Sequence, residues 1–276
     1  MTVAFVLGGG GVRGATEVGM LRALLDSGIQ PELVVGTSIG AINGAAVAQD
    51  PTPAVVDRLE HAWASGTAAS IYGEAWYRQV SRLAKSRTHL NDPGALRAMI
   101  ADVVGEYTLF EDLPVPLAVC AASIERASEH WFDTGPLVEA VLASASVPAA
   151  LPPTPIAGEH FIDGGIVNSI PLGEAVARGA TTIYVLQVGR IEEPLEAPAK
   201  PSDVARVAFE ISRRHRFQRE RAAVPAHVDL HVLPYGGAQP GDDRIGAYRR
   251  LDRTHARIES ARAATQAYLD GLGAGA

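Results

Sequence analysis

The chain of 276 residues holds one cysteine, few aromatic residues (6%), and no unbroken apolar run of the ~18 residues that a membrane-spanning helix needs. A single cysteine, Cys120, excludes an intramolecular disulfide framework and fits a reducing compartment. Its neighbours, Leu117-Ala118-Val119 and Ala121-Ala122, read as a buried strand, so an inert core thiol is expected there rather than a nucleophile. Positive charge is short as well. Lys and Arg number 24 against 31 Asp and Glu, and the net charge of −7 argues against a nucleic-acid-binding surface. No cluster of histidines and carboxylates has the spacing of metal ligands, so neither a metal nor a cofactor is expected. Met1 to Leu7 runs into a glycine cluster without a basic leader or a cleavage-type site, which sets the expectation of a soluble, cytoplasmic protein.

What is present is ample apolar material, 47% of residues with 20% charged, enough for one large core. Thr2 to Leu7 is a β-rich run broken by Gly8 to Gly11. Val18, Leu21, Leu24 and Leu25 then follow at helical spacing up to Gly28. A second apolar run, Leu33-Val34-Val35, leads into Gly36-Thr37-Ser38-Ile39-Gly40 and a stretch of small residues. This βαβα opening implies a mainly parallel sheet covered on both faces, an α/β fold. Further strands are expected at 116–122, 130–133, 181–188 and 228–233, and helices at 136–145, 172–177, 203–223 and 252–269. Asp92 and Pro93 start another helix with Leu96, Met99, Ile100 and Val103 on one face. Residues 54–90, with Trp63, Tyr72, Trp76 and Tyr77, read as a helical excursion, and core packing is favoured over a lipid-contacting lid. The 203–223 helix is basic, but Glu210 and Glu220 intersperse its arginines, which favours a paired face over docking on an anionic membrane.

Three motifs carry chemistry. Gly36-Thr37-Ser38-Ile39-Gly40 has the G-x-S-x-G pattern of a nucleophile elbow, in which Gly36 and Gly40 make room for a sharp turn and the following helix aims N–H groups at charge near Ser38. Gly8 to Gly14 is a glycine loop whose N–H groups can converge on a phosphate or on an oxyanion. It also fits G-x-G-x-x-G. A dinucleotide site would then want an acidic residue closing the second strand, where this chain has Gly36-Thr37-Ser38, with Glu32 ahead of the strand. Asp163, followed by Gly164 and Gly165, is the strongest candidate for the base that a serine hydroxyl requires. His215, His227, His231 and His255 are the rivals of a Ser–Asp–His order, and none follows a strand in a Gly-rich loop.

Jointly these motifs, with Ala143-Ser144-Ala145-Ser146-Val147-Pro148 ahead of the aspartate, resemble the patatin-like phospholipase family over residues 3–189; from Asp203 onward the likeness is a general one to small bacterial members. The resemblance implies a three-layer α/β/α fold with a mainly parallel central sheet. It implies one domain over 1–276, with the core at 3–189 and the elements of 203–270 packed on it. It implies a serine acyl hydrolase that cleaves lipid or other carboxylic esters through a Ser38–Asp163 dyad and an acyl-enzyme. The oxyanion site would come from Gly9, Gly10, Gly11 and Ile39, with Arg13 orienting the loop and Gly14, Gly36, Gly40, Gly164 and Gly165 supporting the turns. An acyltransferase using the same acyl-enzyme and a nucleotide-binding protein using the glycine loop are the alternatives. The expected partner is an acyl-ester lipid, with peripheral membrane contact through 61–90 or the basic helix as a further possibility and no nucleic acid. Head group, acyl chain and oligomeric state leave no mark in the sequence.

Overall fold

The structure is a computed structural model and describes residues 1–64, 89, 91–189, 191, 194–198, 201–237 and 251–273. Strand β1 (Val3–Leu7) alternates its side chains between two apolar cores: Phe5 and Leu7 enter one, Ala4 and Val6 the other. A strand buried on both faces belongs at the centre of a sheet covered by helices on each side. The other strands are β2 (Leu33–Thr37), β3 (Leu117–Ser123), β4 (Ser128–Phe132), β5 (Thr154–Ile156), β6 (Glu159–Asp163), β7 (Thr182–Leu186) and β8 (Asp229–Val232). β3, β2, β1, β7 and β8 lie side by side and parallel, while β4, β5 and β6 join antiparallel at the β3 end.

Helices complete three layers. α1 (Ala15–Asp26), α2 (Ile39–Gln49), α3 (Pro53–Ala64), α4 (Gly94–Val104) and α5 (Leu137–Ser144) bury apolar faces in the core that holds Phe5 and Leu7. The single turn α6 (Gly165–Asn168) and the short α7 (Leu172–Ala177) precede α8 (Pro201–Ala222). Leu172 and Ala175 of α7 and Phe217 of α8 fill the opposite core. The last helix, α9 (Leu251–Gly273), returns to the first face, where Ile258 and Ala261 pack against it. The family fold implied by the motifs, a mainly parallel sheet between helical layers, is therefore what the structure has.

Local chemistry explains the boundaries. α4 begins one residue later than expected, with Pro93 rather than Asp92 in the N-cap position, and Asp92 Oδ1 accepts the N–H of Gly94 at 2.8 Å in the turn that leads into it. The proline-rich stretch after Val147, read from sequence as a turn, also carries the short edge strand β5, whose Pro155 stands opposite His160. Proline is tolerated at an edge because one side of the strand needs no ladder donor. Trp63 is buried at the end of α3, while Tyr72, Trp76 and Tyr77 lie outside the described residues.

The way β3 shares its edges positions the ends of β2 and β6. β3 has two edges, and β4 occupies one of them from Val119 to Ser123. The other edge is shared. β2 pairs with its first half, ending at Thr37 opposite Cys120, and β6 pairs with its second half, ending at Asp163 opposite Ala121. β2 runs parallel to β3 and β6 antiparallel, so the two strands approach each other head-on and stop at adjacent register positions.

Candidate active site

The head-on meeting brings Ser38 and Asp163 together across 125 residues of sequence, and Ser38 Oγ donates to Asp163 Oδ2 at 2.6 Å. Both side chains are buried. A short O–H···O⁻ contact of this kind is a strong, charge-assisted hydrogen bond.

Ser38 sits at the junction of β2 and α2 with φ 57° and ψ −122°, a left-handed backbone that a residue with a Cβ adopts at a cost of about 1–3 kcal/mol. Several contacts hold it there. The Ser38 N–H donates to Ser144 Oγ at 2.8 Å, and the Ser144 hydroxyl donates onward to the Cys120 carbonyl at 2.6 Å. Next to it, Thr37 Oγ1 donates to the Asn168 carbonyl at 2.8 Å. α2 then runs through the protein interior as a buried Gly- and Ala-rich helix. Gly40 lets it start against β1, since a Cβ there would lie 2.4 Å from the Leu7 carbonyl oxygen. Gly36 faces the same helix start.

Asp163 closes β6. Its second oxygen, Oδ1, accepts the Gly165 N–H at 2.7 Å, which fixes the carboxylate plane and leaves Oδ2 toward Ser38. Gly164 permits the approach, because a Cβ there would lie 2.2 Å from the Cys120 carbonyl oxygen. The small-residue segment after α5 forms the cradle: the Asp163 and Gly164 N–H groups donate to the carbonyls of Ser146 and Ser144 at 2.9 and 3.2 Å. Burial pushes the Asp163 pKa up to about 6, against the opposing pull of the Ser38 hydroxyl and the Gly165 N–H. The group is thus a far better proton acceptor than a solvated aspartate, yet ionised at neutral pH.

The glycine loop lies beside this pair. Gly9 requires a correction as an oxyanion donor: its N–H donates to the Ser169 carbonyl at 2.8 Å, just as Gly8 donates to Leu186 at 3.0 Å, so both residues anchor the loop. The Gly10 and Gly11 N–H groups have no acceptor among the described residues. The Ile39 N–H opens α2, where no preceding helical carbonyl exists to receive it. Arg13 donates its backbone N–H to the Gly10 carbonyl at 3.3 Å and places its guanidinium 3.8 Å from Glu210 of α8, so it braces the loop.

The rival residues lie elsewhere in the fold. His231 is bonded to Tyr268 and Asp229 and stacked on Tyr184; His215, His227 and His255 are exposed. Glu32 binds the Val3 N–H at the opposite end of β1 from the glycine loop, too far along the sheet for the ribose contact of a dinucleotide site. On α8, Glu210 pairs with Arg213 and Arg214, and Glu220 with Arg216, the paired face that the charge pattern favours. Ser144, quoted from sequence only as part of the 143–148 segment and given no role, and Asn168, not named at all, both contact the site. The signal for Ser144 was a serine ending a helix that is apolar apart from Glu139 and buried on nearly every side.

Comparison with known proteins gives a consistent result. Residues 5–176 match the family model described as patatin-like phospholipase. The chain is 33% identical over 193 residues to the patatin-like phospholipase domain-containing protein ZK370.4 of Caenorhabditis elegans, covering 69% of this chain and 14% of that one. It is 31% identical over 194 residues to patatin-like phospholipase domain-containing protein 6 of Homo sapiens, covering 70% and 14%. It is 30% identical over 190 residues to neuropathy target esterase sws of Drosophila melanogaster, covering 68% and 13%. The chain thus matches about one seventh of the length of these relatives. Among solved structures, VipD from Legionella pneumophila shares the fold with a TM-score of 0.50 and 13% identity, over 98% of this chain and 67% of that one.

The buried aspartate has a measurable cost in stability. Its folded pKa of about 6 lies above the unfolded value, so the folded state holds the proton more tightly. Stability is therefore lost as pH rises from about 4 through about 6. The full penalty at pH 7.5 is on the order of 3 kcal/mol. Asp163→Asn removes the ionisation, and we expect it to unfold at higher urea than wild type at pH 7.5, with the gain vanishing at pH 4. Ser144→Ala leaves the Ser38 N–H and the Cys120 carbonyl without their partner, and the same urea titration is expected to show a loss of about 1–3 kcal/mol.

Proposed function

The chain belongs to the patatin-like phospholipase family, and we propose that it is a serine acyl hydrolase that cleaves carboxylic ester bonds of lipids through Ser38 and Asp163. The observation that carries this reading is the 2.6 Å hydrogen bond from Ser38 Oγ to Asp163 Oδ2 at the end of two strands. The names of the relatives, phospholipase and esterase, support the ester class of substrate.

In this reading the Ser38 hydroxyl gives its proton to Asp163 as Oγ bonds to the ester carbonyl carbon. The carbonyl oxygen takes up the electron pair and is held by the N–H groups of Gly10, Gly11 and Ile39. Each well-placed donor of that kind typically lowers the barrier by about 3–4 kcal/mol. The tetrahedral adduct collapses, the C–O bond to the alcohol breaks, and Asp163 returns the proton to the departing alkoxide. An acyl group then remains on Ser38. A water molecule repeats the sequence, losing a proton to Asp163 and attacking the acyl carbon; Ser38 leaves with that proton and the carboxylic acid departs. One carboxyl thus acts as base and acid in turn, which a group with a pKa of about 6 suits better than one near 4.

A fluorophosphonate probe tests the nucleophile directly. The expected adduct maps to Ser38 and disappears in Ser38→Ala; an unlabelled, folded protein would overturn the reading. With a p-nitrophenyl ester, kcat/KM is expected to fall about tenfold per pH unit below about 6 and to be level above it, because only ionised Asp163 accepts the proton. Asp163→Asn is expected to lower kcat by at least about a thousandfold, whereas retained activity would assign the base elsewhere.

A further inference from the structure

Beneath the glycine loop lies a buried polar cluster that the reaction does not use. Glu17 on α1 and Asn43 on α2 are both fully shielded from solvent. Asn43 Nδ2 donates to the Gly14 carbonyl at 3.0 Å and to Glu17 Oε2 at 2.8 Å, and its Oδ1 accepts the Trp63 Nε1–H at 3.4 Å. Asparagine is a poor residue for a helix interior, and a buried amide is costly unless it is bonded. Here both amide hydrogens and the oxygen are engaged, in a helix otherwise made of small and apolar residues up to its last position. Glu17 Oε1, by contrast, has no partner among the described residues, a buried polar atom that costs stability.

The cluster joins the two halves of the proposed oxyanion site. Gly14 closes the 3₁₀ turn that begins at Gly11, and Ile39 opens α2 one helical turn before Asn43. Gly14 also lies against the Ile39 side chain, where a Cβ would come within 2.3 Å of Cγ1. Resting on the hydrolase reading, we propose that Asn43 is a positioning residue: its bond to the Gly14 carbonyl sets the distance between the loop donors, Gly10 and Gly11, and the elbow donor, Ile39, while Glu17 orients the amide. Burial raises the Glu17 pKa well above the ordinary carboxylate range, more than Asn43, Gly8 and Arg213 lower it. A neutral carboxyl accepts the amide hydrogen without setting a negative charge beneath a site that must hold a developing oxyanion.

Asn43→Ala removes the joint. With p-nitrophenyl butyrate, kcat is expected to fall about thirtyfold or more with KM changed less than about threefold, and the rate of fluorophosphonate labelling should fall in the same proportion. Glu17→Ala should lose part of kcat and Glu17→Gln should restore it. A role in packing alone would lower the melting temperature yet leave kcat and labelling within about threefold of wild type when measured well below melting, and that result overturns the proposal. Amide hydrogen exchange gives a readout that needs no turnover: residues 8–14 should exchange faster in the variants while 33–37 keep their protection. Unchanged exchange at 8–14 also overturns it. If Asn43→Ala does not fold, the Glu17→Ala and Glu17→Gln pair answers the same question. If wild type neither turns over the ester nor labels at Ser38, the hydrolase reading fails, and exchange then decides the Asn43 joint separately.

Discussion

A carboxylate held away from water governs this structure. Asp163 has two hydrogen bonds to share its charge, one from Ser38 and one from the Gly165 amide, and is buried. Such a group is tolerated only if its environment is rigid, because any relaxation that hydrates it would lower its pKa and loosen its grip on the serine. The rigidity comes from β3. Its one shared edge fixes the ends of β2 and β6, and the segment 143–147 clamps both by bonding Ser38 through a side chain and Asp163 and Gly164 through carbonyls. The strained backbone of Ser38 and the destabilised charge of Asp163 are thus two burdens carried by the same few hydrogen bonds.

The second half of the site depends on a different kind of order. The glycine loop is tied at its start by Gly8 and Gly9, whose amides are committed to Leu186 and Ser169, and at its far end by Gly14 through Asn43. Between those anchors the amides of Gly10 and Gly11 are left uncommitted. A nest of N–H groups can serve an anion only where the fold refrains from using them, and here the neighbouring residues take over the structural work.

Much of this was legible in the residues. The elbow, the glycine loop and Asp163 could be named because turns of that tightness demand glycine, and glycine marks its own position. The βαβα order of the opening announced a doubly covered sheet, and in the fold Ala4, Phe5, Val6 and Leu7 alternate between its two cores. What could not be read was which glycine amides remain available, since that depends on Ser169 and Leu186, residues more than a hundred positions away. The role of Ser144 was hidden for a related reason: its side chain matters because it turns inward to a backbone group at 106 positions' separation, and a serine among alanines carries no such label. Glu17 carries no mark in the sequence, because nothing local tells that its side of α1 is covered by Asn43 and the loop.

The division of the β3 edge between two strands has a kinetic corollary. β1 and β2 can pair soon after synthesis, since they are joined by one short helix. β6 reaches its place only after β3 is laid down, and nothing in its own sequence contacts Ser38 until that register is complete. Closing a loop of 125 residues is entropically demanding, and such non-local contacts form late. In the proposed hydrolase reading the nucleophile is therefore made before it is armed: a nascent or partly folded chain carries the serine without its base, and reactivity switches on only when β6 docks on β3, so that reactivity itself serves as a reporter that this edge has closed.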